Sequence, residues 1–457
     1  MSRWPIPATW EWAQVGDVAD VVGGGTPSTS DEANFAENGT SWLTPADLSG
    51  YEGTYIARGA RSLSAKGLAT SNARVLPAGA VLFSSRAPIG YTVIAENPIA
   101  TNQGFKNLVL GEGMDPRYVR YYLLASRDYA ESMASGSTFK ELSGARMKEL
   151  LIPVPPVAEQ RRIVAKLDEL LASSHAARGA LDAVPALLEQ FRQSVLAAAF
   201  RGDLTADWRA AHRALADEWV WVHLQDLTTS LRGGTAETSL KTITQWPVLK
   251  SSAVRPGKVD LDDCSYLPGD KGPSSGYLLS DGDLLITRLS GSLDYVGNCG
   301  IVREIGDRLI AYPDRLFRAR LAESAFGPYV EYAFEAKQLR AGFERAAKSS
   351  AGHQRISLSD VRRFRLPLPS VSEQEEVVRR INTLLDGATA SARLQRACLQ
   401  QIGVLERAIL AKAFLGELVP QDPNDEAASV LLDRIRAERA AKKTPARKSS
   451  RRTSTRA

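Results

Sequence analysis

The chain has 457 residues, more than one ordinary hydrophobic core accommodates, so we expect roughly two to four structural units. Its three cysteines, Cys264, Cys299 and Cys398, lie far apart without CxxC or Cys/His spacing, which excludes an encoded zinc site or disulfide framework and favours a reducing cytoplasm. The formal net charge is +5, but the last sixteen residues hold seven Lys or Arg and no acid, so the remainder carries −2 and is not a globally basic body.

The two ends of the chain carry different signals. The start, MSRWPIPATWEW, lacks an apolar targeting segment, and no run of roughly 18 apolar residues occurs anywhere, so we expect neither a signal peptide nor a membrane span. The end, KKTPARKSSRRTSTRA, is charged and rich in Ser and Thr, which predicts disorder. Such a tail either solubilises the protein or contacts nucleic-acid phosphates without sequence preference.

Residues 1–152 predict an α+β domain. Short β-prone runs, RVLPAGAVLFSS, YTVIAENPIA and KNLVLGEG, alternate with turn residues, and DPRYVRYYLLAS predicts a short helix. The glycine-rich GGGTP here, and LRGGT later in the chain, do not fit GxGxxG between a strand and a helix. A turn is the favoured interpretation of both, with a phosphate or backbone contact as the alternative.

A proline-led helix follows in the stretch LIPVPPVAEQRRIVAKLDELLA. Its prolines cannot lie inside a helix, so the helix is predicted to begin near Val157 or Ala158, with Glu159 in the first turn. Gly179 and Pro185 are predicted to break or kink it. Apolar residues recur every three or four positions, as in a coiled-coil seam: Ile163, Leu167, Leu170, Leu171 and Ser174, then Leu181, Val184, Leu188, Phe191 and Val195.

The second part of the chain repeats the first, with unlike side chains in the variable blocks. Adding 214 to the numbering maps Glu159 and Gln160 onto Glu373 and Gln374, and SVLAAAFRGDL onto AILAKAFLGEL, without a gap. A weaker repeat with an offset of 209 relates the two tryptophan-rich segments WEW and WVW that open each unit. Between the helices, residues 205–366 carry the runs GDLLITR, GIVREIG, DRLFRARL and GPYVEYAFEA, which predict a second α+β domain.

The second helix repeats the apolar stripe, and only Gly387 and Gly403 weaken it. A single stripe of this kind is usually core, but two matching stripes predict that the helices pack against each other, antiparallel or side by side. About 40 helical residues at ~1.5 Å per residue would form a rod of roughly 60 Å, able to hold two domains at a fixed separation. The repeated stripe comprises Val377, Ile381, Leu384, Leu385 and Ala388, then Cys398, Ile402, Leu405 and Ile409.

Motifs for catalysis are absent from the sequence. It holds no GxxxxGK[ST] phosphate loop and no NPP[YF] tetrapeptide for amino-methylation, and its four histidines lie outside any Ser or Cys motif. Asp314, Glu335 and Lys337 loosely match a metal-dependent nuclease pattern, but the last two lie in a helical run rather than a strand. We therefore expect no catalytic residue, metal or cofactor, and keep a self-sufficient nuclease only as an alternative.

Clusters of small polar, aromatic and cationic residues lie at matched places in both blocks. They are SSRAPIGY, TNQGFK and SGSTFKELS in the first, and TRLSGSLDY, AYPDRLFR and AKSSAGHQRIS in the second. Arg, Lys, Gln, Ser and Thr are the side chains that reach phosphates and base edges, although any one cluster is more often a solvated loop. We predict DNA contacts by Ser85, Arg86, Gln103, Lys106, Ser137 and Lys140 in the first block and by Arg232, Thr287, Arg288, Ser290, Arg315 and Gln354 in the second.

Nearly the whole chain resembles the DNA-specificity (S) subunits of type I restriction–modification systems. The resemblance rests on WEWAQVGDVADVVGGGTP, both P-x-P-x-x-x-EQ helices, the AFxGxL endings and LVPQDPNDEAASVLLDRIRAERA. It implies two similar target-recognition domains, each reading half of a bipartite, asymmetric DNA sequence, separated by a pair of long antiparallel coiled-coil helices with a pseudo-twofold repeat. It also implies two methyltransferase (M) subunits that modify adenine and two restriction (R) subunits, which would supply the missing catalytic motifs.

The expected organisation is therefore a cytoplasmic, non-catalytic DNA-reading scaffold. Its parts are a first recognition domain at 1–152, a central helical spacer at 153–204, a second recognition domain at 205–366, a C-terminal spacer and terminal helix at 367–440, and a basic disordered tail at 441–457. The alternative is a coiled-coil protein–protein adaptor without sequence-specific DNA recognition.

Overall fold

The computed structural model describes residues 4–136, 140–212, 218–269, 272–292, 295–322, 326–346, 348–350 and 353–443. The chain forms two compact units: unit 1 comprises residues 1–180 and 398–457, and unit 2 comprises residues 181–397. Among the described helices, none is long and apolar enough to cross a membrane.

Unit 1 holds the first block, the start of the first long helix and the end of the second. Its strands are β1 (Glu11–Gln14), β2 (Ala19–Gly23), β3 (Phe35–Leu43), β4 (Tyr55–Ile56), β5 (Arg61–Leu63), β6 (Val81–Ser85), β7 (Ile89–Ala95), β8 (Ala100–Thr101), β9 (Phe105–Leu110) and β10 (Leu151–Val154). The helices are α1 (Val15–Val18), α2 (Ala65–Ala69), α3 (Pro116–Ala125), α4 (Arg127–Ser132), α5 (Gly144–Glu149), α6 (Val157–Asp182) and, near the end of the chain, α13 (Ala428–Lys443).

A five-stranded sheet, in the order β2-β9-β6-β7-β4, forms the centre of unit 1. A three-stranded sheet, β5-β3-β8, and the antiparallel pair β1-β10 complete it. The predicted β-prone runs and the helix α3 are confirmed at β6, β7, β9 and α3. One face of the large sheet buries Val81, Phe83 and Leu108 against α3 and the first turns of α6.

Unit 2 repeats this arrangement with shorter strands. They are β11 (Val220–His223), β12 (Thr228–Gly233), β13 (Pro247–Leu249), β14 (Val254–Arg255), β15 (Lys258–Val259), β16 (Cys264–Tyr266), β17 (Leu284–Thr287), β18 (Leu289–Ser290), β19 (Cys299–Ile301), β20 (Leu316–Leu321), β21 (Lys348–Ser350), β22 (His353–Arg355) and β23 (Arg365–Leu368). The helices are α7 (Val184–Arg201), α8 (Ala206–Ala211), α9 (Phe326–Glu335), α10 (Lys337–Ala346), α11 (Leu358–Arg362) and the first part of α12 (Val371–Phe414). The central sheet has the order β12-β20-β17-β19, and β11 pairs with β23.

The predicted start of the first long helix is confirmed, because α6 begins at Val157. The prediction that Gly179 breaks the helix is wrong, since α6 continues through it to Asp182. Pro185 does coincide with a break, a single non-helical position at Ala183 between α6 and α7. The second long helix, α12, runs without interruption through both of its glycines.

The glycines of GGGTP and LRGGT serve close backbone approach rather than a turn. A Cβ built on Gly24 would lie 1.9 Å from the carbonyl oxygen of Asn102, and one built on Gly234 would lie 2.2 Å from that of Tyr312. Only a residue without a side chain permits this contact. The backbone-contact alternative is thus the correct one for both motifs.

The glutamate of the first EQ motif joins three distant parts of unit 1. Glu159 is 1% exposed, and its carboxylate accepts hydrogen bonds from Trp10 Nε1 at 2.9 Å and from Gln421 Nε2 at 2.5 Å. Burial raises the pKa of the Glu159 carboxyl above its ordinary value. Beside it, Gln160 accepts from the backbone N–H of Asp115 and donates to the carbonyl of Pro155, which fixes the chain ahead of α6.

The second EQ motif makes the corresponding junction in unit 2. Glu373 is fully buried and accepts from Trp219 Nε1 at 3.1 Å, from the hydroxyl of Thr205 at 2.6 Å and from the guanidinium of Arg209. In each unit the glutamate therefore ties the opening tryptophan of a block to the segment that follows the other long helix. The Glu of the repeated motif is structural.

The AFxGxL endings of the two long helices close the same cores. Phe414 packs edge-on against Tyr118 and Tyr122 in unit 1, with ring centroids 5.4 and 5.1 Å away, and Phe200 packs on Tyr329 in unit 2 at 5.1 Å. The glycine two residues later adopts a left-handed conformation in both copies, with φ of +83° at 202 and +78° at 416. Such a residue ends a helix without steric cost.

Antiparallel contacts join the long helices within each unit. In unit 1, the end of α6 meets α12 through Glu406, whose carboxylate accepts from Ser174 Oγ at 2.5 Å and from Arg178 at 2.9 Å, whereas Glu159 near the start of α6 reaches Gln421 beyond α12. In unit 2, α7 and α12 are also antiparallel. Thr205, beyond the end of α7, contacts Glu373 near the start of α12, whereas Leu181, before the start of α7, contacts Gln395 further along α12.

A side-chain hydrogen bond from α12 reaches the break between α6 and α7. Pro185 has no N–H, so the carbonyl of Leu181, four residues earlier, has no donor at that position of the helix. Gln395 Nε2 donates to this carbonyl at 3.1 Å, and the Gln395 side chain is 8% exposed. The two residues occupy equivalent positions in the repeat, since they are 214 residues apart.

Candidate nucleic-acid interface

In unit 1, three of the predicted residues meet where β6 ends and β9 begins. The buried hydroxyl of Ser85 donates to the carbonyl of Gly104 at 3.1 Å and accepts from Lys106 Nζ at 3.2 Å. Lys106 Nζ also lies 3.1 Å from Glu141 Oε1, and Arg86 Nη1 lies 3.5 Å from Glu141 Oε2. One carboxylate therefore pairs with both cations of this cluster.

The other predicted residues of unit 1 lie at its margins. Gln103 is exposed in the loop before β9, where its amide oxygen accepts from the hydroxyl of Thr26. Lys140 is exposed, with Nζ 3.8 Å from Glu131 Oε1, a separation at which an exposed ion pair contributes little to stability. Ser137 lies outside the described residues. Gln103 and Lys140 are thus placed to move toward a ligand at little cost.

In unit 2, five predicted residues converge at the corresponding hairpin. Thr287 ends β17, and the backbone N–H of Arg288 donates to the carbonyl of Arg315 at 2.9 Å. Ser290, in the next strand β18, lies opposite Gln354 of β22. Segments far apart in the sequence therefore contribute to one polar surface.

The guanidinium of Arg288 is held above an aromatic ring. Its carbon lies 5.6 Å from the ring centroid of Phe317, and its Nη1 donates to the carbonyl of Asp314 at 3.1 Å. The Asp314 carboxylate is 3.9 Å away, a weak pairing at this partly exposed position. The ring of Phe317 and the carbonyl of Asp314 orient the guanidinium of Arg288, whose other N–H groups remain as donors for a ligand.

Arg232 does not join this group. It lies on β12 opposite Arg318, donates to the carbonyl of Gly276 and stacks 5.7 Å from the ring centroid of Tyr277. Within the described part of unit 2, it shares none of these partners with Arg288. The sequence prediction named it, within the LRGGT segment, as a DNA contact of the second block.

Behind the surface of unit 2, a buried arginine supports the hairpin. Arg318 is 1% exposed, and its Nη1 donates to the carbonyls of Gly276 at 3.2 Å and Leu278 at 3.1 Å. Burial lowers the pKa of its guanidinium, and the Asp283 carboxylate lies 4.0 Å from its Nε. These bonds fix the loop around Gly276 against β20.

Backbone hydrogen bonds align the two hairpins residue by residue. Ser85 N–H donates to Gly104 O and Ser85 O accepts from Leu142 N–H, as Arg288 N–H donates to Arg315 O and Arg288 O accepts from Ile356 N–H. Arg288 is therefore the counterpart of Ser85 rather than of Arg86. By the same alignment, Arg315 and Arg355 replace Gly104 and Glu141.

Sequence reasoning missed part of the surface. A cavity of about 200 Å³ in unit 2 is lined by the selected residues Thr287, Ser290 and Arg315 and by Tyr295 of the TRLSGSLDY cluster, but also by Ser251 and Arg255. No spacing rule connects 251–255 with the hairpin, because β14 reaches it only through tertiary packing. Glu141 was missed because an acid is not a typical phosphate ligand, although it lies in the predicted SGSTFKELS cluster.

The residues of the nuclease alternative have separate partners. Asp314 is exposed beside Arg288, whereas Glu335 is 6% exposed on α9 and pairs with Arg192 of α7. Lys337 Nζ lies 3.5 Å from the exposed Glu189. Among the described residues, no group of His, Cys, Asp or Glu is arranged to hold a metal ion.

Comparisons with known proteins all identify the same family. Residues 7–181 match the family model of the type I restriction modification DNA specificity domain. The specificity subunit of the type I restriction enzyme EcoKI from Escherichia coli K12 is 34% identical over 326 residues, covering 69% of each chain. The StySPI specificity subunit of Salmonella potsdam is 26% identical over 456 residues, covering 96% of this chain and 97% of the relative. A solved chain of a type I R-M system, described for its assembly and conformational transition, has 18% identity and a TM-score of 0.68 over 91% of this chain and 100% of its own.

Proposed function

Because the chain belongs to the family of type I restriction–modification specificity subunits, we propose that each recognition block reads one half of a bipartite, asymmetric DNA target. The chain is the non-catalytic subunit that confers DNA sequence specificity on the restriction–modification complex. It associates with DNA and with methyltransferase and restriction subunits. A coiled-coil adaptor without DNA recognition is not favoured.

The observation that carries the proposal is the pair of hairpins with the same backbone bonds and different side chains. Where unit 1 presents Ser85, Gly104 and Glu141, unit 2 presents Arg288, Arg315 and Arg355. Side chains at one place of a shared scaffold determine which base edges or phosphates are contacted. Unlike side chains at matched places favour two different half-sites. An interrupted target without a palindrome is the consequence.

Residues 1–152 and 205–366 form the recognition domains, and residues 153–204 and 367–440 form the spacer helices. α13 extends to Lys443, so residues 441–443 are helical, and the rest of the basic tail, 444–457, lies outside the described residues. DNA contacts fall to the predicted residues at the hairpins, with Arg232 as a separate contact. Because the chain acts on DNA, its proposed location is the cytoplasm.

The long helices also support two M subunits, each of which would recruit one R subunit. Phe191 on α7 is 41% exposed, and Leu405, its counterpart at an offset of 214, is 55% exposed on α12. Leu187 and Val404 extend the two apolar patches, with 59% and 50% exposure. Exposed apolar patches of this kind are typical of protein interfaces. Two equivalent patches favour two copies of one partner, and the native mass of the co-purified complex measures the number.

Arg288→Ala tests the proposal. The full chain is co-expressed with its methyltransferase subunit, and modified adenines are mapped genome-wide. The variant should lose about 1–3 kcal/mol of discrimination at one position of the second half-site and leave the first half-site unchanged. Arg308→Ala is the matched control, because this exposed arginine pairs with Asp262 in the same unit, away from the hairpin.

The outcomes separate the hypotheses. An unchanged motif in Arg288→Ala would remove that residue from the reading surface. A continuous or palindromic wild-type motif would contradict two unlike half-sites. A complex that forms with the methyltransferase but shows neither sequence preference nor a steep salt dependence of DNA binding would support the adaptor instead.

A further inference from the structure

We infer that the cavity beside the hairpin of unit 2 binds one phosphate of the DNA backbone. This inference rests on the proposed function and names the chemistry of one contact within it. The cavity has a volume of about 200 Å³, and its lining includes Ser251, Arg255, Thr287, Tyr295 and Arg315. Among the described residues, no acidic side chain lines it.

Two guanidinium groups in the lining lack a carboxylate partner. The side chain of Arg315 is exposed and makes no hydrogen bond or ion pair with any residue that the structure describes. Arg255 donates to the carbonyl of Val254 at 3.2 Å, and its guanidinium carbon lies 5.4 Å from the ring centroid of Tyr295. A planar fork with free N–H groups binds the oxygens of a phosphate in a bidentate manner. The pair therefore favours an anion.

A buried hydroxyl in the same cavity also lacks a partner. Thr287 is 3% exposed, and its Oγ1 has no hydrogen-bond partner among the described residues. Buried polar atoms are normally hydrogen-bonded, and an orphan is costly to keep. Its backbone N–H and carbonyl are already paired with Asn298 and Gly297, so the hydroxyl remains the free donor. An oxygen of a bound phosphate would satisfy it.

The corresponding place in unit 1 holds a carboxylate between its two cations. The carboxylate of Glu141 pairs with Lys106 at 3.1 Å and with Arg86 at 3.5 Å, and its counterpart in unit 2 is Arg355. An anion approaching unit 1 meets a negative charge that must first be displaced from the two cations. An anion approaching the cavity of unit 2 meets no carboxylate among the described lining residues. A phosphate can therefore bind there without displacing a carboxylate from the lining.

The test is the salt dependence of DNA affinity, measured with the full chain in complex with its methyltransferase subunit. The slope of log K against log salt changes by about 0.9 for each neutralised phosphate. The double variant R255Q/R315Q should lower the magnitude of the slope by about one. Thr287→Val should weaken binding without changing the slope, because a neutral donor is removed.

Arg308→Gln is the control of equal charge in the same unit and should keep the wild-type slope, since Arg308 lies by Asp262. Thermal unfolding of each variant verifies that it folds. A wild-type slope in the folded double variant would overturn the inference. A wild-type complex with no sequence preference would instead refute the proposed function.

Discussion

The hydrogen bond between Gln395 and Leu181 gives a prediction that one double-mutant cycle can test. Replacing Gln395, which is 8% exposed, with Leu gives a side chain of similar size but removes the donor to the Leu181 carbonyl. Because Pro185 supplies no N–H, that carbonyl would lose its side-chain partner. Loss of a partly buried hydrogen bond of this kind costs about 1 kcal/mol.

The second arm of the cycle restores the helical donor. In Pro185→Ala, the new N–H at position 185 can bond to the carbonyl of Leu181 four residues earlier, as in an uninterrupted helix. Gln395→Leu should then cost about 1 kcal/mol less than in the wild-type background, which is the coupling energy of the pair. For a unit of this size, each kcal/mol shifts the melting temperature by about 2–4 °C.

Thermal unfolding of the four full-length chains, followed by the circular dichroism of the helices, measures the coupling. Gln401→Leu is the matched control, because this exposed glutamine lies further along α12 and its loss should change stability by less than about 0.5 kcal/mol. Equal costs of Gln395→Leu with proline and with alanine at position 185 would refute the reasoning. The bond would then be incidental to the helix break.

Two further predictions concern the repeated motifs. Burial raises the pKa of Glu159, so the folded state binds a proton more readily than the unfolded state, and stability is lost as pH rises from the ordinary glutamate pKa of 4.5 through the raised value. Melting curves across this pH window should show the wild type losing stability relative to Glu159→Gln. The opposite trend would contradict the raised pKa. Gly416→Ala should lower stability by at least roughly 1–2 kcal/mol, because φ is +78° and the new Cβ would lie 2.3 Å from Pro7. Gly387→Ala, in the middle of α12, should instead stabilise the protein by about 0.5–1 kcal/mol. Equal melting temperatures for the two variants would argue against a helix-ending role of Gly416.

Sequence patterns predicted the local elements well. The strands at β6, β7, β9, β17, β19 and β20 and the helices α3 and α9 lie where composition and turn residues place them, because short-range propensity governs these segments. The effects of single glycines were predicted less well. Gly179 sits inside α6 without consequence, since a lone glycine weakens a helix by only about 1 kcal/mol and packing compensates.

The sequence predicted residues that belong to the candidate site but not how they are arranged. Ser85, Arg86 and Lys106 were selected as residues able to contact DNA. The pairing of Arg86 and Lys106 with Glu141, however, joins segments 55 and 35 residues apart. The equivalence of Arg288 with Ser85, rather than with Arg86, follows from backbone hydrogen bonds and not from aligned letters. Arg255 enters the cavity of unit 2 from a part of the chain that no motif connects with the hairpin.

By itself, the sequence determined that the chain is a duplication in which two unlike α+β blocks each precede a proline-led EQ helix. A repeat that keeps register at an offset of 214, helix-breaking prolines and apolar periodicity are local or repetitive signals, and they need no knowledge of packing. Only the tertiary structure decided what the repeated Glu does. Glu159 and Glu373 tie the opening tryptophan of each block to the end of the other long helix, through contacts 149 to 262 residues apart. Such contacts arise from burial in a shared core, which no linear pattern encodes.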